Sequence, residues 1–136
     1  MRRGVIGFAG LSHLGLVSSI TAASQGCEVI GFDPDSARCK ALHEGRFEVF
    51  EPGLPELLAA NQSRLRWTAD AADLRGCDLI VFSPDVTTDH ENRSDLSSLR
   101  QLIDDVTRQV APETALVVLS QVPPGFTRQL AAQRES

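Results

Sequence analysis

The sequence predicts an α/β domain built on a doubly wound parallel sheet, and three observations carry that prediction. Short, nearly continuous apolar runs recur along the chain, at Val5 to Ala9, Glu28 to Asp33, Cys77 to Ser83 and Thr114 to Ser120. Such runs suit strands buried on both faces. Between them lie stretches whose apolar residues fall three and four apart, the mark of amphipathic helices. Turns rich in glycine or proline separate strand from helix. With right-handed crossovers, this alternation gives three α-β-α layers and the strand order 3-2-1-4-5.

Each element follows in turn. The first run ends at Gly10, and from His13 to Ser24 the residues Leu14, Val17, Ile20 and Ala23 keep helical spacing, with Gly26 as the stop. The second strand leads into "DPDSARCKALHEG", where Pro34 and capping residues open a helix that closes at Gly45. "RFEVFEPG" has no period and ends in the turn signal Pro52-Gly53; "LPELLAA" is a short helix. "RLRWTAD" is a weak strand, followed by a helical turn around Asp70 to Leu74. The strand at Cys77 to Ser83 gives way to a polar loop, "PDVTTDHENRS". Asp95 is the expected cap of a helix in which Leu96, Leu99, Ile103, Val106 and Val110 keep three-and-four spacing until Pro112. After the last strand, Pro123-Pro124-Gly125 starts a final helix. There is no internal repeat.

A chain of 136 residues is expected to form one domain, over 1–136, with a real core. A net charge of −5, six Phe, one Trp and no Tyr argue against nucleic acid, which calls for a basic face and stacking platforms. The three cysteines, Cys27, Cys39 and Cys77, form no C-x-x-C pair and sit in apolar segments. Reduced, buried thiols are expected, with no metal bound. No apolar run reaches the roughly 18 residues of a membrane span, and the first residues suit a strand better than a signal peptide. The expectation is a soluble cytoplasmic chain without membrane attachment.

The chemistry lies in the turns that leave the strands. "GLSHLG", residues 10 to 15, has the outline of the dinucleotide fingerprint G-x-G-x-x-G with serine in the middle. Gly10 allows the tight turn, Gly15 allows the helix to pack closely, and the helix N-terminus with His13 and Leu14 favours a pyrophosphate. Ser12 crowds the approach, yet its hydroxyl can donate to a phosphate oxygen, a bond worth about 1.5–3 kcal/mol. His13 is given a positioning role there. Asp33 ends the second strand where an acidic residue meets a ribose 2′-hydroxyl. It could instead cap the next helix, as could Asp35 or Ser36, but the register with the glycine turn favours ribose. An aspartate there repels a 2′-phosphate, so NAD is expected over NADP. Arg38 could pair with Asp35 or an extra phosphate; lining the adenine edge is the preferred reading. Pro84, Asp85 and Val86 after the fourth strand, and Gln121 after the fifth, are expected to face the cofactor. His43 and His90 are expected at the surface. No Ser/His/Asp set or metal cluster emerges.

In the order "GLSHLGLV", "EVIGFDPD", "EPGLPELL", "RLRWTAD", "CDLIVFSPDVTTD", "SDLSSL" and "LSQVPPGFT", the chain resembles the N-terminal, Rossmann-type domain of the UDP-glucose/GDP-mannose dehydrogenase family. The resemblance implies part of an enzyme that oxidises a nucleotide sugar at C6, alcohol to carboxylate, in two steps with two NAD. It also implies a cysteine nucleophile in a C-terminal region, beyond a central helical dimerisation segment, so that full-length members are homodimers. None of the three cysteines matches that nucleophile, and the sequence stops at Ser136. The expectation is a truncated cofactor domain that binds NAD and carries no catalytic residue of its own. Two departures stand out. Val86 and Thr87 occupy the place of the family's Thr-Pro pair, and Gln121 that of a threonine that helps place a catalytic water. The competing expectations are a freestanding nucleotide-binding module without chemistry, and the N-terminal domain of another dehydrogenase of this fold, such as the 3-hydroxyacid type.

Overall fold

The computed structural model describes residues 4–47, 51–86 and 96–135. Five strands, β1 (Val5–Ala9), β2 (Glu28–Phe32), β3 (Leu65–Thr68), β4 (Leu79–Phe82) and β5 (Ala115–Val118), form one sheet. All pairings are parallel and the order is β3-β2-β1-β4-β5, as the alternation of elements predicts. Ala9 pairs with Phe32 on one side and with Phe82 on the other, so the carboxyl ends of the three central strands finish at one level. The order reverses at β1, which places a crevice above that strand's end.

Among the described residues there are five α-helices, four between strands and one after β5: α1 (His13–Ser24), α2 (Ser36–His43), α3 (Leu54–Asn61), α4 (Ser97–Thr107) and α5 (Phe126–Glu135). Because side chains alternate along a strand, both faces of the sheet are apolar and both are covered. Ala9, Phe32, Ile80 and Phe82 pack with Leu99, Leu102, Ile103 and Val106 of α4 and with Phe126 of α5. On the other face Phe8, Val29 and Val81 meet Ala23 of α1, while Leu16 and Ile20 of α1 join Leu42, Leu54, Leu58 and Trp67. Burial of one such side chain contributes about 1.5–3 kcal/mol. The four buried residues of α4 therefore hold it to the sheet far more firmly than its helix propensity could. Trp67 lies across β2 at Gly31, where an added Cβ would come within 2.4 Å of the indole.

Most elements fall where the sequence places them, including the weak strand at β3 and a 3-10 turn at Ala71–Leu74 capped by Asp70. Several boundaries differ: β2, expected to reach Asp33, ends at Phe32, and α2, expected between Pro34 and Gly45, spans Ser36–His43. The strand expected over Cys77 to Ser83 is confined to Leu79–Phe82, although Asp78 and Ser83 still donate their N–H groups to Val5 and Ala9. The strand expected over Thr114 to Ser120 likewise shortens to Ala115–Val118. The helix expected to reach Pro112 ends at Thr107. Val110 is nonetheless buried, so its apolar spacing reflects packing of the turn beyond the helix. The expected cap Asp95 lies outside the described residues, as do His90 and Thr87.

Cys39 and Cys77 are buried and Cys27 is half-buried; all three are free thiols. Burial raises the Cys39 thiol, and burial with the neighbouring Asp78 carboxylate pushes Cys77 up to about 11. Such thiols are poor nucleophiles at neutral pH. His43 is at the surface as expected, but its Nε2 donates to the Trp67 carbonyl at 2.8 Å, tying α2 to β3. Among the described residues no helix is long and apolar enough to cross a membrane.

Candidate functional site

The β1–α1 turn forms the floor of the crevice. Gly10 takes φ +95°, in the left-handed region, and an added Cβ would lie 2.6 Å from the Pro84 nitrogen. Conformation and space therefore both demand glycine. At Gly15 the demand is purely spatial: a Cβ would stand 2.2 Å from the Gly10 carbonyl oxygen and 2.7 Å from Ser83 Oγ. Ser12 is the N-cap of α1, its Oγ accepting the Gly15 N–H at 3.5 Å. The N–H groups of His13 and Leu14, in the first turn, have no intrahelical acceptor and carry the positive end of the helix dipole. Leu14 is exposed, and His13 Nε2 lies 2.9 Å from Glu51 Oε1.

Asp33 sits at the end of β2, only 6% exposed. Its Oδ2 accepts the Leu11 N–H at 2.9 Å and the Arg38 guanidinium at 3.2 Å, and its Oδ1 accepts the Asp35 N–H at 2.9 Å. The helix-capping role open to Asp33 is taken by Asp35, which accepts from Ala37 and Arg38. The Arg38 side chain therefore pairs with Asp33 rather than with Asp35, and also donates to the Leu11 carbonyl at 3.3 Å. Arg38 of this pair lines a cleft of about 520 Å³, together with Leu11, Leu16 and Leu42.

Of the residues singled out from the sequence, Ser12, His13, Arg38 and Asp85 line this cleft. Gly10, Leu14, Gly15, Asp33 and Pro84 are not in its lining, although Asp33 holds the Leu11 N–H and the Arg38 guanidinium, of two residues that are. Val86 and Gln121 do not line it either. Val86 packs against the α4 side of the core, and Gln121 is exposed beyond β5. Sequence reasoning misses Arg46 and Phe47, which close the cleft behind α2. Their signal is weak: an arginine and an aromatic residue in an aperiodic stretch just past a helix-ending glycine. Ser12 also differs from expectation, because its proton goes to the Ser83 carbonyl at 2.6 Å rather than into the cleft.

A larger hollow, of about 600 Å³, lies between α4, β5 and α5. None of the expected site residues lines it. Among the described residues no group of His, Cys, Asp or Glu could hold a metal ion.

A parallel sheet with a glycine turn into a helix N-terminus, and an acidic residue on the neighbouring strand end, defines a dinucleotide-binding domain. Residues 4–136 match the UDP-glucose/GDP-mannose dehydrogenase family, NAD binding domain, and the chain belongs to that family. It is 31% identical over 120 residues to a UDP-glucose 6-dehydrogenase of Rhizobium meliloti, covering 85% of this chain and 28% of that protein. It is 34% identical over 128 residues to a GDP-mannose 6-dehydrogenase of Pseudomonas syringae, covering 88% of this chain and 29% of the relative. The solved UDP-D-ManNAc dehydrogenase of Pyrococcus horikoshii superposes with a TM-score of 0.89 at 28% identity, over 96% of this chain and 32% of that one. The chain thus spans less than a third of the length of these relatives.

Proposed function

We propose that this chain is the cofactor-binding part of a nucleotide-sugar 6-dehydrogenase resembling UDP-glucose 6-dehydrogenase. Such an enzyme oxidises a sugar C6 alcohol to the carboxylate with two NAD, each accepting a hydride when bound. The observation that carries the reading is the pairing of Asp33 and Arg38 beside the Gly10–Gly15 turn, in a chain of this family. In this reading the Asp33 carboxylate accepts the adenosine ribose hydroxyls through the lone pairs left on its Oδ1. Arg38, with Arg46 and Phe47, borders the adenine. The N–H groups of Ser12, His13 and Leu14 at the head of α1 face the pyrophosphate, where the missing Cβ atoms of Gly10 and Gly15 keep the turn compact. Pro84, Asp85, Val86 and Gln121 lie toward the nicotinamide. The chain is one cofactor domain that binds NAD without turning over substrate by itself. In support, two of its three thiols are buried and shifted away from the thiolate. The nucleotide-sugar substrate and a homodimeric partner belong to the full-length enzyme.

Calorimetric titration with NAD and NADP tests this. NAD is expected to bind in the micromolar to millimolar range and more tightly than NADP, because the Asp33 carboxylate repels a 2′-phosphate. No heat with millimolar NAD, or tighter binding of NADP, would overturn the assignment.

A further inference from the structure

Four hydroxyl and amide bonds link the turns that leave β1, β4 and β5. Ser12 Oγ donates to the Ser83 carbonyl at 2.6 Å, and Ser83 Oγ donates back to the Gly10 carbonyl at 3.0 Å. The Ser83 N–H continues the ladder to Ala9 at 2.8 Å. Ser120 Oγ donates to the Pro84 carbonyl at 2.5 Å, joining the third turn to the other two. Ser83 is fully buried, and Pro84 fills the space that a Cβ on Gly10 would need. A hydroxyl has one proton. With that proton on Ser83 and a lone pair on the Gly15 N–H, Ser12 has only acceptor capacity to offer an approaching phosphate, itself an acceptor.

The geometry points to Ser12 as a positioning residue for the second half of the dinucleotide, acting through Ser83 and Pro84 rather than by touching phosphate. The inference rests on the dinucleotide reading above. The topology directs the consequence. The β2 side of the switch point takes the adenosine half, so the β4 and β5 ends fall to the other nucleoside. Glycine at this position, as in the usual fingerprint, has no hydroxyl and leaves the two turns joined by fewer bonds.

The test compares the native chain with Ser12→Ala in two measurements. Amide hydrogen exchange needs no ligand. The Ser83 N–H is expected to exchange about fivefold faster in the variant, the loss of one ordinary hydrogen bond, while the Asp33 N–H, bonded to Thr68 on the far side, is unchanged. Calorimetry then uses NAD and ADP-ribose, which shares everything but the nicotinamide. NAD affinity is expected to fall about fivefold with ADP-ribose unaffected. Unchanged exchange at Ser83 overturns the clamp. Equal weakening of NAD and ADP-ribose overturns it too, by making the hydroxyl a phosphate contact. If the native chain binds neither ligand, the dinucleotide reading fails and the proposed role in cofactor positioning fails with it; faster exchange at Ser83 in the variant then shows only a structural tie.

Discussion

Replacing Asp33 with asparagine should destabilise the fold even in the absence of cofactor. In the native chain one carboxylate satisfies three donors: the Leu11 and Asp35 N–H groups, each at 2.9 Å, and the Arg38 guanidinium. An amide keeps one oxygen and turns the other acceptor into an NH₂ donor. In its better orientation the oxygen faces Leu11 and Arg38, and the NH₂ confronts the Asp35 N–H. That buried donor without an acceptor costs about 1–3 kcal/mol. Arg38 is half exposed, so solvent screens the lost ion pair to at most about 1 kcal/mol. The sum is about 1–4 kcal/mol, measurable as a lower urea midpoint by far-ultraviolet circular dichroism at constant m-value. Asp33→Ala, which removes every acceptor, should lose more. An Asp33→Asn variant within about 0.5 kcal/mol of native stability, the range of an ordinary surface change, would refute the claim that Asp33 holds the turn together. The result also bears on cofactor binding, since an affinity lost in Asp33→Ala has two sources that only the asparagine variant separates.

Other expectations follow from the same structure. Gly15→Ala places a methyl against backbone and should cost about 1–3 kcal/mol or more, lowering thermal stability and NAD affinity together; a variant with native melting behaviour would contradict the packing described. Leu99→Ala, at a fully buried α4 position, should lose about 2–5 kcal/mol in urea unfolding. In the folded chain, Cys27 should react with a thiol reagent well before Cys39 and Cys77, which should label only on unfolding; equal labelling rates would argue against their burial. For Cys77 the folded pKa lies above the ordinary 9.0, at about 11. Its contribution to stability is thus complete below about pH 9 and lost as pH rises toward 11. The alkaline decline in stability should be shallower in Cys77→Ala, when each is measured relative to its own value at pH 8.

The fold is legible in the sequence because its evidence is local. The period of "HLGLVSSITAAS" and the stops on either side place α1 at His13–Ser24 without reference to anything distant. The glycine turn and Asp33 are legible for a related reason, since conformation and spacing alone constrain them. What stays hidden is contact between remote residues. Nothing near Ser12 announces Ser83, seventy-one positions away, so sequence offers its hydroxyl to phosphate when a carbonyl already holds it. Asp35 is the natural partner for Arg38 by proximity, which cannot show that Asp35 points back at the helix head. Arg46 and Phe47 escape notice because a segment without period gives no sign of which way it faces. Val110 shows the converse, an apolar spacing that outlasts its helix.

The single tryptophan has a consequence for how this chain can be studied. With no tyrosine and one Trp in the sequence, the near-ultraviolet emission of the protein is the signal of one ring. That ring is buried over Gly31 in the same cluster as Leu11, Leu16 and Leu42, which also line the cleft beside Arg38. Trp67 is therefore a built-in optical probe of that half of the molecule. Its intensity and wavelength report on what happens above β2 and β3, and remain nearly blind to events at β5.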